Sequence, residues 1–246
     1  MSDTDLPRIA KTGAAIADQI RRQIATGDLP IGQHLMSEEE LTGLYGIART
    51  TLREALRILE SQGLIEIRRG RGGGPVVTMP RIDSLAEGLA VSLQLRGTTI
   101  GDLDEARALI EPQLAGQLAA HHTADDLEAL NAAVAEAAEA ADSGDRRRVG
   151  LAALNMHETV MERAGNTTLA TFSRLMHELV RSYYLTAGSH SDIETAQRAA
   201  RSYSRLVRYI EAGDVDGATQ HWRKQMAYTS TNLLSDQPLN LFPETE

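Results

Sequence analysis

Residues 37–78 have the sequence SEEELTGLYGIARTTLREALRILESQGLIEIRRGRGGGPVVT. Ser37 and Glu40 have the spacing of a capping box, and the short apolar pattern that follows them stops at Gly46. A second pattern begins near Ala48 and repeats leucines on one helical face. We therefore expect two helices separated by a tight turn.

A basic hairpin is expected after the second of these helices. Residues 64–67 and 75–78 are short β-type runs, and arginines and glycines fill the segment 68–74 between them. Nearer the start of the chain, isoleucines at positions 16, 20 and 24 lie on one face of a further helix. Helix, short helix, turn, helix and basic hairpin are together the order of a winged helix-turn-helix, whose third helix enters the major groove of DNA.

The charge distribution favours DNA contact in one part of the chain only. The net charge is −9, from 25 Lys/Arg and 34 Asp/Glu, yet residues 1–80 carry ten of each kind. Within residues 46–79, six arginines stand against three glutamates. Because local charge rather than the total attracts a phosphate backbone, this short segment is the expected DNA-binding surface.

The predicted DNA contacts are arginine, threonine and glycine residues in two places. They are Arg49, Thr50, Thr51 and Arg53 at the start of the third helix, and Arg68, Arg69, Gly70 and Arg71 at the hairpin tip. A helix start favours phosphate, arginine can bind guanine, and a threonine methyl group can contact thymine. Glycines at the tip allow close approach to the backbone or the minor groove. The alternative is a solvated face, which we assign to Arg57.

The rest of the chain is expected to be a bundle of six or seven helices. Aromatic residues make up 4% of the sequence, and long Ala/Leu/Glu/Arg stretches favour helices packed through aliphatic contacts. Met79-Pro80 interrupts the pattern. We place the DNA-binding domain at residues 8–80, an all-helical effector-binding and dimerisation domain at 81–236, and a flexible tail at 237–246. The predicted fold class is therefore mostly α.

The run RTTLREALR at residues 49–57, with Ser37-Glu38 before it and Gly63-Leu64-Ile65 after it, resembles the DNA-binding domain of GntR-family regulators. The resemblance covers about 65 residues. It implies that the family's DNA-contacting positions are Arg49, Thr50, Thr51, Arg53, Arg69 and Gly70. Glu39 departs from the family, which usually has an arginine after the Ser-Glu pair, so the contact made there in relatives is expected to be missing.

The later residues resemble the FCD-type effector domain of the FadR-like branch of this family. The motifs that carry the resemblance are DEARALIE at 104–111, Leu118-Ala119-Ala120, His157 with Gly165-Asn166, and Tyr209-Ile210 with Gly213-Asp214. The resemblance spans most of residues 85–235 and implies an antiparallel helical bundle with a central ligand cavity, which also forms a homodimer. The two-fold symmetry of a homodimer implies a palindromic operator in double-stranded DNA.

Many FCD-type domains hold a divalent metal through an aspartate and a histidine four residues apart and through two later histidines. The resemblance places His157 on the first histidine, but Ala153, Tyr203 and Gln225 on the other three ligand positions. These three side chains bind zinc-like ions poorly or not at all. His177 has no partner at metal-ligand spacing and is expected to be structural or on the surface. We therefore expect no metal and no other cofactor.

We expect instead that a polar, largely neutral patch binds a small organic effector. Arg107 and Glu111 share a helix face, where Arg107 can hold a carboxylate or phosphate, or the two can form a salt bridge with each other. The predicted effector-binding residues are Arg107, Glu111, Asn155, His157, Arg181, Tyr184, Tyr203 and Gln225. An organic acid, a fatty acid or an acyl-coenzyme A would suit such a site.

The function that follows is that of a cytoplasmic transcriptional regulator, and more specifically of a repressor. The sequence has no cysteine, no secretion signal and no apolar run of about 18 residues, so we expect no membrane contact. One alternative is a DNA-binding protein without an effector, which an interior filled by bulky apolar side chains would favour. The other is a hydrolase that uses His157 and Glu111 as acid and base. No known nucleophile or nucleotide-binding motif supports it, so we do not expect an enzyme.

Overall fold

The computed structural model describes residues 12–70, 73–187 and 192–232, without the side chains of 182–187 and 228–232. The chain divides between Ser84 and Leu85 into two compact units. The boundary that we predicted lies four residues earlier, at residue 80. The predicted tail at 237–246 lies outside the described residues.

The first unit consists of three helices and a hairpin in the predicted order. They are α1 (Gly13–Thr26), α2 (Glu38–Tyr45), α3 (Arg49–Ser61), β1 (Ile65–Arg68) and β2 (Gly74–Val77). The two strands are antiparallel, and Ile65 pairs with Val77. His34 adds a single bridge to β2 at Val76.

Local residues set the ends of these helices. Thr12 caps α1, and the Ser37–Glu40 capping box starts α2. Gly27 and Gly46 then end α1 and α2 at φ of +84° and +58°, a conformation that glycine adopts without strain. The hydrophobic core beneath them is aliphatic, with buried side chains from all five elements, including Ile16, Ile20, Leu41, Leu52, Leu59, Ile65 and Val77.

Helices make up the second unit, apart from short connections, among its described residues. Its helices are α4 (Ile82–Leu95), α5 (Ile100–His121), α6 (Ala124–Ser143), α7 (Arg146–Arg163), α8 (Thr167–Ala187), α9 (Ile193–Glu211) and α10 (Val215–Asn232). No helix in the part of the chain that the structure describes has the length and apolar character needed to cross a membrane. The predicted fold class is confirmed.

Helix α5 is the centre of this unit and packs against α7, α8, α9 and α10. Its contact with α10 at Gly116 leaves no room for a side chain, because a Cβ atom there would lie 2.2 Å from Thr219 Oγ1 and 3.3 Å from the Val215 carbonyl oxygen. Leu114, Leu118 and other apolar residues fill most of the core around α5. Three polar side chains of α5, those of Asp104, Arg107 and Glu111, are buried within this otherwise apolar interior.

Candidate functional site

The first turn of α3 presents the predicted DNA-binding side chains to solvent. Arg49, Thr50 and Arg53 are exposed, and Thr51 is half-buried. Ala48 at the N-cap makes no side-chain hydrogen bond to the helix. A helix start without a side-chain cap leaves backbone N–H groups available, and such groups attract phosphate.

The hairpin carries the second set of predicted DNA contacts. Arg68 and Arg69 are exposed, and the Nε of Arg68 lies 3.6 Å from Glu66 Oε2 in a weak surface pair. Gly70 has a φ of +103°, so its position in the turn favours glycine. Arg71 lies outside the described residues. The structure thus places exposed arginines on both predicted elements, and their contact with DNA stays a prediction.

Glu111 of α5 is the centre of a buried polar network in the second unit. Its Oε1 accepts hydrogen bonds from Arg107 Nε at 2.7 Å and from His177 Nε2 at 2.9 Å. Its Oε2 lies 2.6 Å from His157 Nδ1 and accepts a bond from Trp222 Nε1 at 3.2 Å. We call these five residues the Glu111 cluster. The four partners satisfy a carboxylate that is fully buried and would otherwise be strongly unfavourable there.

The guanidinium group of Arg107 faces two carboxyl groups and one imidazole. Besides the Nε bond to Glu111, Nη1 donates to Asp104 Oδ1 at 2.9 Å, and Nη2 lies 3.0 Å from His157 Nδ1. We assign a proton to His157 Nδ1, because that atom lies only 2.6 Å from the Glu111 carboxylate. The protonated Nδ1 donates to Glu111 and therefore does not accept from Arg107 Nη2. Of the two options for Arg107, the structure shows the salt bridge with Glu111, and contact with an effector stays a prediction.

The pKa values follow from burial and from the central cation. Burial alone would raise the pKa of Glu111, but Arg107 and the imidazoles of His157 and His177 hold it well below its usual range. Burial raises the pKa of Asp104, against the opposing effect of Arg107. Burial, together with Arg107, lowers the pKa of His177 to about 4. At pH 7, Glu111 is therefore ionised and His177 is neutral.

Two further predicted effector residues lie beside this cluster. The ring of Tyr203 is buried and packs edge-on against His157, with ring centroids 5.9 Å apart. Gln225 is half-buried on α10, three residues after Trp222. The structure therefore brings Arg107, Glu111, His157 and Tyr203 together, with Gln225 on a neighbouring turn.

The remaining predicted effector residues are not part of the cluster. The prediction for Asn155 is wrong, because its side chain is exposed and bonds to Glu136. Residues two apart on a helix point to different sides, so Asn155 cannot share the inward face of His157. Arg181 is half-buried, and its Nη2 donates to both oxygens of Glu158 at 2.9 and 3.0 Å. The side chain of Tyr184 lies outside the described part of the chain.

Sequence reasoning missed His177 and Trp222 as members of the cluster. The surface option for His177 is wrong, because the residue is fully buried and donates to Glu111. A signal for it was present on α8, where Leu169, Ser173, His177 and Val180 follow one another at helical spacing. Two polar residues on an otherwise apolar helix face indicate a buried polar contact.

The residues present do not fit the metal site of related domains. Ala153 offers no ligand atom, and the ring of Tyr203 is packed against aromatic neighbours. Glu111, His157 and His177 could each offer one ligand atom, and these atoms lie within 4.8 Å of one another. However, the carboxylate of Glu111 already accepts four hydrogen bonds, one of them from a guanidinium cation that a metal ion would have to displace. We therefore assign no role to a metal, and its predicted absence stays a prediction.

Comparison with known proteins identifies both units. Residues 12–73 match the bacterial regulatory proteins of the gntR family, and residues 102–227 match the FCD domain. RmpR of Mycobacterium gastri, an HTH-type transcriptional regulator by name, is 33% identical over 213 residues, which are 83% of this chain and 73% of RmpR. The galactonate operon transcriptional repressor of Escherichia coli K12 is 28% identical over 214 residues, 86% of this chain and 92% of the repressor.

A solved structure shows the same fold. The GntR protein of Streptococcus agalactiae superposes with a TM-score of 0.67 at 21% sequence identity, covering 89% of this chain and 100% of the other. The matched families and the named relatives are transcriptional regulators and not enzymes, as we predicted. The chain belongs to the GntR family of bacterial transcriptional regulators, with a winged helix-turn-helix as its first unit and an FCD domain as its second.

Proposed function

We propose that this regulator is a homodimeric repressor that binds a palindromic operator and responds to a small organic effector in its FCD domain. The observation that carries the proposal is the pairing, in one chain, of an exposed arginine face on α3 with a buried polar cluster in a separate helical unit. The name of the galactonate operon relative describes a repressor, which favours repression over activation here.

The Glu111 cluster is suited to transmit effector binding. Glu111 is bonded to residues of α7, α8 and α10 as well as to its own helix, so four helices meet at one carboxylate. An effector that displaces one of these bonds shifts the balance between two packings of the bundle. Coupling to DNA then requires that the effector bind the DNA-competent and DNA-incompetent states with different affinity.

The two alternatives have less support. An interior filled with bulky apolar groups would favour a DNA-binding protein without an effector. The interior of the second unit instead contains five buried charged or imidazole side chains: Asp104, Arg107, Glu111, His157 and His177. A hydrolase would need a free carboxylate oxygen on Glu111, and both of its oxygens already have two partners each.

The DNA-binding part of the proposal is tested by Arg49→Ala. Selection from random duplex DNA first gives the operator, which we expect to contain two inverted half-sites. At fixed salt, we expect Arg49→Ala to weaken operator binding by about 5- to 150-fold if Arg49 makes a bidentate base contact. Arg146→Ala, the loss of one exposed arginine in the other unit, is the charge-matched control. Unchanged affinity of Arg49→Ala, in a titration by fluorescence anisotropy, would exclude this contact.

The dimer and the effector are tested by native mass spectrometry of the freshly purified, untagged protein. We expect twice the mass of the chain, plus an organic mass that is released on denaturation. A monomer would contradict the dimer. An added mass of a zinc or nickel ion would show instead that a metal site survives around His157.

A further inference from the structure

Three polar atoms of α8 have no hydrogen-bond partner among the described residues: Ser173 Oγ, His177 Nδ1 and Arg181 Nε. Arg181 is half-buried and its Nε lies 3.2 Å from the Glu178 carboxylate, whereas the side chains of Ser173 and His177 are fully buried. The two residues are four apart, so they lie on the same face of α8, one turn from each other. A buried polar group without a partner is unfavourable, so two neighbouring ones mark a place where a ligand group can bind favourably.

The chemistry of His177 defines what such a ligand must offer. Its Nε2 lies 2.9 Å from Glu111 Oε1 and therefore carries the ring proton. Because the ring is neutral at pH 7, Nδ1 presents a bare lone pair and can only accept a hydrogen bond. The hydroxyl of Ser173 can donate or accept. A ligand group that both donates and accepts, as an alcohol hydroxyl does, can therefore satisfy both atoms.

The surrounding charges disfavour an anion at this place. Two carboxylates lie next to His177, those of Glu111 and Glu158, and each is paired with an arginine, Arg107 or Arg181. Glu158 Oε1 is 4.0 Å from His177 Nδ1. A carboxylate would approach the negative charge of Glu158 and has no proton to donate to the lone pair of Nδ1, and the same holds for a fully ionised phosphate.

A buried ammonium group is disfavoured as well, because it would need a carboxylate of its own. Glu111 is already paired with Arg107, and both oxygens of Glu158 are bonded to Arg181. The nearby Glu178 lies 3.2 Å from Arg181 Nε, in an ion pair that does not have the geometry of a hydrogen bond.

We propose that Ser173 and His177 form a subsite for an alcohol hydroxyl of an uncharged effector of the sugar or polyol class. The inference rests on the proposed function, in which the FCD domain binds an organic effector. The hydroxyl donates its proton to His177 Nδ1 and accepts a hydrogen bond from the Ser173 hydroxyl. Bonded to His177, it lies one hydrogen bond away from Glu111, where the four helices meet. The organic acids and acyl-coenzyme A suggested by the sequence do not match this chemistry.

The first test is the stability of Ser173→Ala without added ligand. Because the hydroxyl has no partner, its removal is expected to leave the Tm unchanged or to raise it. Ser202→Ala on α9 is the matched control, since Ser202 Oγ lies 3.0 Å from His221 Nε2 and its loss is expected to lower the Tm. A lower Tm for Ser173→Ala would show that the hydroxyl already has a partner and would overturn the proposal.

The second test uses thermal shift of the full chain with D-xylose, D-galactose and xylitol, beside xylonate and galactonate as acids of matching skeletons. We expect at least one neutral compound to raise the Tm of the wild type and of Ser202→Ala, but not of Ser173→Ala, and we expect no shift with the acids. The proposal is overturned if no neutral compound raises the Tm of the wild type, if an acid does so, or if the shift persists in Ser173→Ala.

Operator titrations with the same compounds distinguish this proposal from the proposed function. An acid that changes the operator affinity of wild type and Ser173→Ala equally overturns the hydroxyl subsite alone. If no organic mass is released in the native mass spectra and no compound changes operator affinity, the proposed effector response fails with it.

Discussion

At the scale of single residues, Glu111 determines the character of the FCD interior. A carboxylate without partners would be strongly unfavourable in this core, whereas one that accepts bonds from Arg107, His157, His177 and Trp222 is stable there and holds their side chains in place. The same bonds make the cluster sensitive to the loss of any one member.

Replacing Glu111 with Ala is expected to lower the free energy of unfolding by about 3–5 kcal/mol, because the Arg107 cation stays buried without its main partner. Urea unfolding followed by circular dichroism measures the change. Glu139→Ala is the control: Glu139 also pairs with an arginine, Arg148, but its side chain is 72% exposed, so a change within about 0.5 kcal/mol is expected. Similar losses in the two variants would contradict the role given to the cluster.

The lowered pKa of His177 predicts how the stability of the protein depends on pH. Its pKa is about 4 in the folded protein, below the ordinary imidazole value of 6.5, so the unfolded chain binds the proton first as the pH falls. The contribution of neutral His177 to the free energy of unfolding is fully present above pH 6.5 and is lost as the pH falls towards 4. At pH 5 the loss is about 2 kcal/mol. The groups that face His177 are Glu111, Arg107, His157 and Glu158.

The measurement is urea unfolding at pH 7 and pH 5, for the wild type and for His177→Gln, whose amide can still donate to Glu111. The variant is expected to lose less stability between the two pH values than the wild type. An equal loss in both would assign the pH dependence to other groups.

At the scale of elements, the missing side-chain cap at the start of α3 lowers the stability of the helix but leaves backbone N–H groups available for phosphate. Ala48→Asp and Ala48→Asn each supply the missing cap and are expected to raise the free energy of unfolding by about 1 kcal/mol. Only Asp places a negative charge where phosphate is expected, so it should weaken operator binding more than Asn does. Thermal melts and operator titrations measure the two effects. Equal weakening by both variants would mean that the cap geometry, and not the charge, is responsible.

The contact between α5 and α10 depends on a missing side chain. Gly116→Ala is expected to lower the free energy of unfolding by about 1–3 kcal/mol, because the new methyl group would overlap Thr219 Oγ1. In Gly88→Ala the methyl group meets nothing within 4 Å, so the same change on α4 should stabilise its helix by up to about 1 kcal/mol. Urea denaturation compares the two. A loss in both would show that glycine is needed for another reason than space.

At the scale of the whole molecule, two units with separate cores divide the functions of the chain. The hydrophobic core of the first unit shares no residue with those of the second, so damage to one need not unfold the other. In hydrogen exchange, Glu111→Ala is expected to accelerate amide exchange in α5, α7, α8 and α10 but not in α1–α3. Faster exchange in α1–α3 as well would show that the two units unfold together.

The sequence by itself determined the first unit and the helical class of the second. Ser37, Gly46 and the leucines of α3 act on residues within a turn or two of themselves, so helix boundaries and the exposed arginines could be read from spacing. The family resemblance added the FCD domain. It also placed His157, and the spacing of Arg107 and Glu111 showed that the two share a face.

Only the tertiary structure decided which side chains meet in the FCD interior. His177 and Trp222 lie 66 and 111 residues from Glu111 along the chain, and no local pattern indicates that they bond to the same carboxylate. Asn155 was misplaced although it is close to His157 in sequence, because two positions along a helix turn its side chain to another side. The sequence shows which residues share a face of each helix. The packing of four helices around α5 decides which of these faces meet. It therefore also decides which buried polar atoms have partners and which, like Ser173 Oγ, have none among the described residues.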